Sequence, residues 1–345
     1  MSLHSEILEQ PGRLENLLTA QRKTVEEIAR AINARQISYV FLAARGTSDN
    51  AGRYANYLLG GLNRLPLALA TPSLFTYYQQ PPRLKDALVV GVSQSGQSPD
   101  IVSVLQEGKR QGCLTLAITN APESPLAAAA DFVFDIQAGP ELAIAATKTY
   151  TAELVAIAML SFALGGFRSE WGALEKVPGW VNSVLAQDDA IRQAAERYRF
   201  IQQCVVLGRG YNYATAFEWA LKLKELTYVE AEPYSSADFQ HGPIAIVGRG
   251  FPVMAVAAQG KVLESLMPLL HHLSRDLLAE LVVISNSDEA RELANVHFAI
   301  PVEVPELLSP VVSIVPAQLF SYYLTLAKGY DPDKPGTLSK VTETR

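Results

Sequence analysis

The chain has few of the residues that build cross-links and metal sites. Its 345 residues include two cysteines, Cys113 and Cys204, which form no CxxC pair, and five histidines. His271 and His272 are adjacent, so on a helix their side chains point about 100° apart rather than toward one ion. We therefore expect a reduced, cytoplasmic protein with two half-buried thiols and no metal site.

Features typical of nucleic-acid and membrane binding are also missing. The net charge is −6, and no stripe of lysine and arginine occurs, which argues against a nucleic-acid partner. The N-terminus has no signal-peptide pattern, and the most apolar helix-like stretch, 154–164, has about half of the roughly 20 residues that a membrane helix needs. Neither GxxxxGK[ST] nor GxGxxG is present, so nucleotide binding is not indicated.

What the chain does contain is the same unit twice. The sequence Val-Val-Gly-Val-Ser-Gln-Ser-Gly at 89–96 reappears, altered, 164 residues later as Val-Met-Ala-Val-Ala-Ala-Gln-Gly at 253–260. Four further pairs of similar segments occur in the same order in both units, at spacings of 164 to 166 residues. These pairs are 45–46 with 209–210, 118–120 with 284–286, 130–134 with 294–298, and 140–142 with 305–307.

Strand-like and helix-like segments alternate in both units. Short, continuous apolar strands separated by helices predict an α/β fold in which each unit is a parallel sheet with helices on both faces. We expect four strands in each unit. The predicted organisation is an N-terminal helical segment, a first domain, a helical linker, a second domain and a polar tail, at 1–36, 37–165, 166–198, 199–330 and 331–345.

The turn after the strand 87–93 carries the first candidate site. Open parallel sheets bind ligands beyond the carboxyl ends of their strands, where helix N-termini present free N–H groups. Ser93, Gln94, Ser95 and Ser98 lie at such a place and indicate a phosphate-binding turn without lysine. An ordinary capped turn is the alternative. Its equivalent in the second unit has lost the serines, which favours a binding role for the first.

Two other polar clusters of the first unit are weaker signals. Thr47 and Ser48 follow the first strand of the same sheet and would open into the same crevice, although a helix cap is the alternative. Thr147, Lys148 and Thr149 begin the last helix of the unit, where Lys148 could serve only as a solvated charge.

In the second unit, Glu218, Lys222 and Glu225 fall at i, i+4 and i+7, on one face of a predicted helix. A solvent-facing ladder of salt bridges is the alternative. Leucines on either side of Lys222 and Glu225 argue for a partly buried cluster. Downstream, His241 lies on a tight turn, Gln-His-Gly-Pro, from which it could point at a neighbouring site rather than only into solvent.

In combination, these motifs resemble the sugar isomerase (SIS) domain family. Nearly the whole chain resembles the isomerase half of glucosamine-6-phosphate synthase, and the segment 6–11 is similar to the connection between the two halves of that enzyme. The motifs that carry the resemblance are 46–48 (Gly-Thr-Ser), 93–96 (Ser-Gln-Ser-Gly), 145–148 (Ala-Ala-Thr-Lys), 220–225 (Ala-Leu-Lys-Leu-Lys-Glu), 240–243 (Gln-His-Gly-Pro) and 338–342 (Leu-Ser-Lys-Val-Thr).

The resemblance implies a phosphosugar site with divided roles. The sugar phosphate and its hydroxyls would be bound by Thr47, Ser48, Ser93, Gln94, Ser95 and Ser98. Glu225 would move a proton between C1 and C2, and Lys222 would stabilise charge on the enediol-like intermediate. His241, from the partner subunit of a homodimer, would assist ring opening. Lys340 would contact the open-chain sugar or form a Schiff base.

The chain departs from the synthase at several positions. Ala146 stands where the synthase has a serine, so one sugar contact is expected to be missing. Gln97 and Ser98 replace Glu-Thr, which keeps a hydroxyl. Gly336 occupies a position where relatives commonly have arginine. The chain also begins close to the connecting segment, so we expect no glutaminase domain.

These observations together predict a glucosamine-6-phosphate deaminase that converts glucosamine 6-phosphate and water to fructose 6-phosphate and ammonia. It would be a cytoplasmic homodimer that needs no cofactor, and its ligand would be a phosphorylated hexosamine or ketohexose. Two alternatives stay open. One is an isomerase or deglycase of another phosphorylated amino sugar, and the other is a sugar-phosphate sensor without turnover.

Overall fold

A computed structural model of the chain describes residues 2–336 and Lys340. They form two compact modules. The N-terminal module consists of Gly12–Glu141, Lys148–Glu175 and Lys340. The C-terminal module consists of 2–11, Leu142–Thr147 and 176–336, so it includes both the start of the chain and a short loop that precedes a helix of the other module.

The N-terminal module contains a five-stranded parallel sheet. Its strands, in chain order, are β1 (Tyr39–Ala43), β2 (Leu67–Leu69), β3 (Ala87–Ser93), β4 (Leu114–Thr119) and β5 (Phe132–Asp135). They are arranged in the order β2-β1-β3-β4-β5. Every residue of β3 and β4 is buried, as expected for central strands covered on both faces.

The C-terminal module repeats this arrangement. Its strands are β6 (Gln203–Gly208), β7 (Glu230–Ser235), β8 (Pro252–Val256), β9 (Glu280–Ser285) and β10 (Val296–Ala299). All are parallel, in the order β7-β6-β8-β9-β10, which is the order of the first sheet with each strand replaced by its equivalent. The predicted α/β fold with two repeated parallel sheets is confirmed.

Helices flank both sheets. In chain order they are α1 (Leu3–Leu8), α2 (Gln10–Ala20), α3 (Arg22–Asn33), α4 (Gly46–Leu62), α5 (Ser73–Thr76), α6 (Pro99–Arg110), α7 (Pro125–Ala129), α8 (Lys148–Gly165), α9 (Arg168–Leu174), α10 (Val177–Leu185), α11 (Asp188–Glu196), α12 (Tyr213–Thr227), α13 (Ser236–Phe239), α14 (Leu263–His271), α15 (Asp288–Glu292) and α16 (Ser309–Ala327). A π-helical turn, His272–Asp276, continues α14.

Each sheet has one strand more than predicted. The two additional strands have weak local signals, since β2 has only three residues and β7 contains charged residues and Pro233. Both are edge strands, and each pairs with one neighbour only. A proline is tolerated at a sheet edge because the missing N–H there costs no bond to a second strand. The neighbouring strand, rather than local sequence, makes these segments extended.

Helix α6 lies close against β3, which places the turn between them. A Cβ atom added at Gly91 would come within 2.7 Å of a Leu105 methyl carbon, and one added at Gly108 within 2.8 Å of Val89. These glycines therefore let the helix approach the strand. Overpacking of this kind costs about 1–3 kcal/mol, so the contact fixes where α6 begins over the end of β3.

One helix of the described chain is long and apolar enough to cross a membrane by length and composition. This segment, Glu306–Ala327, is not recognised from the sequence as a possible membrane span, because serine, threonine and glutamine interrupt its apolar runs. Hydroxyls of Ser321 and Thr325 donate to carbonyls four residues earlier, at 2.8 and 2.6 Å. In the most apolar 18-residue window of this segment, 83% is buried. Helices α10, α11 and α12 pack against α16, so α16 is the central helix of the C-terminal module.

Candidate active site

The serine-rich turn connects β3 to α6. Gly96 has φ +62°, and its N–H donates to the Ser93 Oγ at 3.1 Å. Its carbonyl accepts from the Leu126 N–H at 3.1 Å. A Cβ at this position would lie 2.0 Å from the Ser124 Oγ. Glycine is thus required both by the backbone angle and by the close approach, and the turn has a single, well-supported shape.

The hydroxyls of this turn are not consumed by helix capping. Ser98 is the N-cap residue of α6, yet its side chain makes no capping hydrogen bond within the described chain. Ser95 Oγ accepts a long bond of 3.3 Å from the Gln97 N–H. Gln94, Ser95 and Ser98 are half-buried, and Ser93 is buried. The alternative of an ordinary capped turn therefore fails at Ser98, and the polar groups lie where an anion would meet the helix N-terminus.

An ion pair between an exposed arginine and a buried aspartate, which the sequence did not reveal, connects this turn to the start of α4. The Asp100 carboxylate is fully buried and accepts from the Arg45 Nε at 2.8 Å and Nη2 at 2.7 Å. Arg45 is the N-cap residue of α4, and Asp100 lies in the first turn of α6. The pair therefore holds two helix N-termini together. Arg45 was visible only as a marker of the repeat.

Thr47 and Ser48 lie in the first turn of α4 rather than at its cap, since the N-cap residue is Arg45. The helix-cap alternative for this pair is therefore wrong. The Ser48 Oγ donates to the Glu153 Oε1 at 2.8 Å, and both residues are buried. Thr47 is half-buried. Ser48 thus uses its proton within the module and keeps its oxygen as an acceptor.

Lys340 contacts a buried carboxylate of the same module. Its Nζ lies 3.0 Å from the Glu141 Oε2, and the Glu141 side chain is fully buried. Glu141 also accepts from the Thr149 N–H at 3.1 Å and from the Thr149 hydroxyl at 2.8 Å, at the N-terminus of α8. Lys148, which precedes Thr149, is fully buried, so the alternative of a solvated charge there is wrong. The other tail residues from 337 onward that were predicted to matter lie outside the described residues.

Ala146 lies half-buried in the loop 142–147 of the C-terminal module. The start of the chain holds this loop. The buried Glu6 carboxylate accepts the N–H groups of the first two loop residues at 2.5 and 3.3 Å, and Gln318 donates to the carbonyl of the last at 3.2 Å. The segment 6–11, which the sequence marked only by resemblance, therefore shapes the backbone around Ala146.

Helix α12 carries a compact charged cluster. The Lys222 Nζ lies 3.4 Å from the Glu218 Oε1 and 2.5 Å from the Glu225 Oε2. Lys222 and Glu218 are buried, whereas the Glu225 side chain is 24% exposed. The alternative of a solvent-facing ladder is therefore wrong. One buried ammonium group holds two carboxylates, and only the Glu225 carboxylate reaches the surface.

His241 is exposed on the turn that follows α13. Its N–H donates to the Asp238 carbonyl at 3.0 Å, and the next residue, Gly242, has φ +140°, a value that few other residues adopt. The turn therefore presents the imidazole outward. Contribution of this side chain to a partner subunit stays a prediction.

Gly336 has a structural reason to be glycine. It has φ +48°, and a Cβ there would lie 2.7 Å from the Tyr228 hydroxyl. Tyr228 ends α12 in a left-handed conformation and packs edge-on against Tyr330, with ring centroids 4.9 Å apart. A larger side chain at position 336 would need both a strained backbone and a shift of the Tyr228 hydroxyl.

Neither cysteine offers a nucleophile. Both are free and buried. Burial raises the pKa of the Cys204 thiol to about 12 and also raises that of Cys113. The thiol rather than the thiolate is present near neutral pH, so both cysteines are inert core residues.

The two repeated units each match a known domain. The SIS domain matches residues 34–163 and 201–328, one match for each parallel sheet. The chain belongs to the SIS domain family. The resemblance predicted from the motifs is confirmed.

Relatives of this SIS protein include the glutamine–fructose-6-phosphate aminotransferase [isomerizing] of Thermus thermophilus, 35% identical over 97% of the chain. The chain spans 57% of that enzyme's length. Among solved structures, the C-terminal domain of glucosamine-fructose-6-phosphate aminotransferase from Francisella tularensis is 28% identical, with a TM-score of 0.87 over 96% of this chain and 98% of that one. A phosphosugar isomerase candidate from Silicibacter pomeroyi is 33% identical, with a TM-score of 0.84 over 96% and 99%.

Proposed function

We propose that this SIS protein is an isomerising deaminase of phosphorylated amino sugars, with glucosamine 6-phosphate as substrate. The observation that carries the proposal is the cluster on α12, where buried Lys222 holds the partly exposed Glu225 carboxylate at 2.5 Å. A carboxylate that reaches solvent beside a buried cation suits proton transfer to and from a carbon acid. The similarity to the isomerase half of an amino-sugar enzyme supports the same chemistry.

The proposed reaction begins with the open-chain sugar. Glu225 removes the C2 proton, Lys222 stabilises the negative charge that develops on the enediol-like intermediate, and the proton returns to C1. The product is the 2-imine of fructose 6-phosphate. Water adds to its C=N carbon, and the C–N bond breaks to release ammonia and leave the C2 carbonyl of fructose 6-phosphate. Apart from the hexosamine phosphate, this direction needs only water.

His241 and Lys340 would act on the sugar before proton transfer. In the proposal, His241 from the partner subunit of a homodimer accepts and donates the protons that open the ring. Lys340 contacts the open-chain sugar. Its ion pair with Glu141 bears on the Schiff-base alternative, because a paired ammonium group has no free lone pair. Attack on a carbonyl would first require this pair to separate and the amine to lose a proton.

The phosphate group would lie against the turn between β3 and α6. Ser93, Ser95 and Ser98 offer hydroxyls, and the positive end of the α6 dipole lies at the same turn. The substrate is thereby distinguished from the unphosphorylated sugar. The proposal includes a cytoplasmic location, with two free cysteines as its structural support.

Release of ammonia from glucosamine 6-phosphate tests the proposal. Purified protein should liberate ammonia and fructose 6-phosphate in equal amounts, whereas unphosphorylated glucosamine should give neither. Fructosamine 6-phosphate belongs in the same panel, because Ala146 and Gly336 depart from the synthase pattern and keep a different amino sugar open as the second candidate. Tight binding of these sugars with no turnover of any would replace the enzyme with a sensor.

A further inference from the structure

The turn of the second module that corresponds to the serine-rich turn contains a carboxylate. This turn, 259–262, leads into α14, with Val262 as the N-cap residue. The Glu306 Oε2 accepts from the Lys261 N–H at 2.9 Å, and its Oε1 accepts from the Val262 N–H at 3.2 Å. Both oxygens thus bind backbone N–H groups at the start of a helix, as the oxygens of a bound anion do.

Gly260 makes this contact possible. A Cβ at Gly260 would lie 2.1 Å from the Glu306 Cδ, so no other residue type could stand there without moving the carboxylate. The Gln259 N–H donates to the Asn286 side chain at 2.6 Å, which fixes the near side of the turn. The backbone of the turn therefore fits closely around the Glu306 carboxylate.

The charge of Glu306 acts on Tyr211, which lies on the loop that follows β6. Burial raises the pKa of the Tyr211 phenol, and the Glu306 carboxylate raises it further. Tyr211 is the repeat equivalent of Thr47, one of the residues predicted to contact the phosphosugar. The carboxylate thus lies at the part of the second module that corresponds to the phosphate site of the first.

The equivalent glutamate of the first module is used differently. Glu141 precedes α8 as Glu306 precedes α16, and each follows a proline. Glu141 binds Thr149 and Lys340. Glu141 thus pairs with Thr149 at the start of α8 and with Lys340, whereas Glu306 pairs with backbone N–H groups at the start of α14.

We propose that the turn 259–262 is a second anion site of this protein, and that the Glu306 carboxylate is its resident anion. The site would take inorganic phosphate or a phosphate monoester if Glu306 were removed. In the native chain the carboxylate already occupies the N–H groups and repels a dianion, so a phosphosugar binds only in the first module. Glu306 therefore sets the binding stoichiometry at one phosphosugar per chain.

Counting bound phosphate tests this proposal. Equilibrium dialysis with radiolabelled inorganic phosphate should show one more phosphate per chain for Glu306→Ala than for the native protein. Glu303→Ala is the matched control, since Glu303 is an exposed carboxylate in the same loop, and it should bind the native number. The increment is independent of the native count, so failure of phosphate binding in the first module would be seen separately.

Thermal unfolding provides the second measurement. Removal of Glu306 leaves backbone N–H groups without an acceptor, so Glu306→Ala should melt below the native protein in chloride. Added phosphate should raise its Tm by more than that of the native chain, because a ligand that binds only the folded state stabilises it. If the alanine variant does not fold, Glu306→Ser keeps a small polar side chain and still vacates the position of the carboxylate. A folded variant of either kind that gains neither phosphate nor phosphate-dependent Tm would overturn the proposal.

Discussion

The two modules share one fold but carry different side chains at equivalent positions. On α4 of the first, the positions 164 residues before Glu218, Lys222 and Glu225 are occupied by Tyr54, Leu58 and Gly61, so the charged cluster of α12 has no counterpart there. At the turn after the central strand the reverse holds, since serines occur in the first module and alanines and glutamine in the second. The fold therefore places a turn and a helix N-terminus after the central strand in both copies, whereas the side chains at these positions differ.

The sharpest test of this division is Glu225→Gln. If the second module supplies the proton-transfer group, kcat should fall by about 10²–10⁴-fold, because an amide cannot accept a proton from carbon. KM should change little, since the phosphate contacts lie on the other module. Steady-state ammonia release measures both. Glu230→Gln, which alters an exposed carboxylate on β7, should retain the native rate, and a normal kcat in Glu225→Gln would end the assignment.

Lys222→Met should give the largest loss of stability. Removal of the ammonium group leaves the buried Glu218 carboxylate without its countercharge, a change that costs about 3–5 kcal/mol in the free energy of unfolding. Denaturant titration measures it. The double variant Glu218→Gln with Lys222→Met should recover part of the loss. Lys224→Met, at an exposed position on the same helix, is the control, and an equally small effect of both lysine substitutions would show that the cluster is not a coupled pair.

Ser95→Ala tests the first module's turn. A hydrogen bond to a charged group contributes about 1.5–3 kcal/mol, so affinity for the phosphosugar should weaken by about 10- to 100-fold while kcat stays near native. Calorimetric titration with fructose 6-phosphate measures the affinity. Ser265→Ala, which removes an exposed hydroxyl from α14, should bind as the native protein does. Equal binding by both variants would contradict a phosphate site at this turn.

Glu141→Gln should have the smallest effect on rate. It tests the difference between the two equivalent glutamates, Glu141 and Glu306. Loss of the ion pair should let Lys340 leave its place, which lowers kcat several-fold without abolishing it, because a charge-assisted bond becomes a neutral one. Glu141→Asp should restore part of the rate. Initial rates of ammonia release over a range of substrate concentrations separate this from a binding defect, and a change confined to KM would argue against positioning of Lys340.

Much of the helical framework could be predicted because its signals are local. The helix that carries Glu218, Lys222 and Glu225 is an example, since its spacing is visible in the sequence and the structure contains it as α12. The edge strand β7 could not be predicted in this way. Its alternating charges and Pro233 are poor strand formers, and it becomes extended because β6 offers bonding groups along its whole length.

The candidate site shows the same limit. The serines of the turn and the spacing of Lys222 and Glu225 were visible, since each set lies within a few consecutive residues. The Arg45–Asp100 and Glu141–Lys340 pairs join residues 55 and 199 positions apart. Burial of Lys148 was also missed, because lysine is rarely buried and nothing adjacent in sequence marks it as an exception.

By itself, the sequence determined that this protein is one α/β unit made twice, with hydroxyls at one turn and a charged cluster on one helix. Periodicity, glycine positions and repeated motifs are properties of short segments, and short segments carry them without help from the rest of the chain. Only the tertiary structure decided which charges face inward and which partner each one meets. Burial and ion pairing depend on distances between residues far apart in the chain, as the two equivalent glutamates show, since one binds a lysine and the other fills a helix N-terminus.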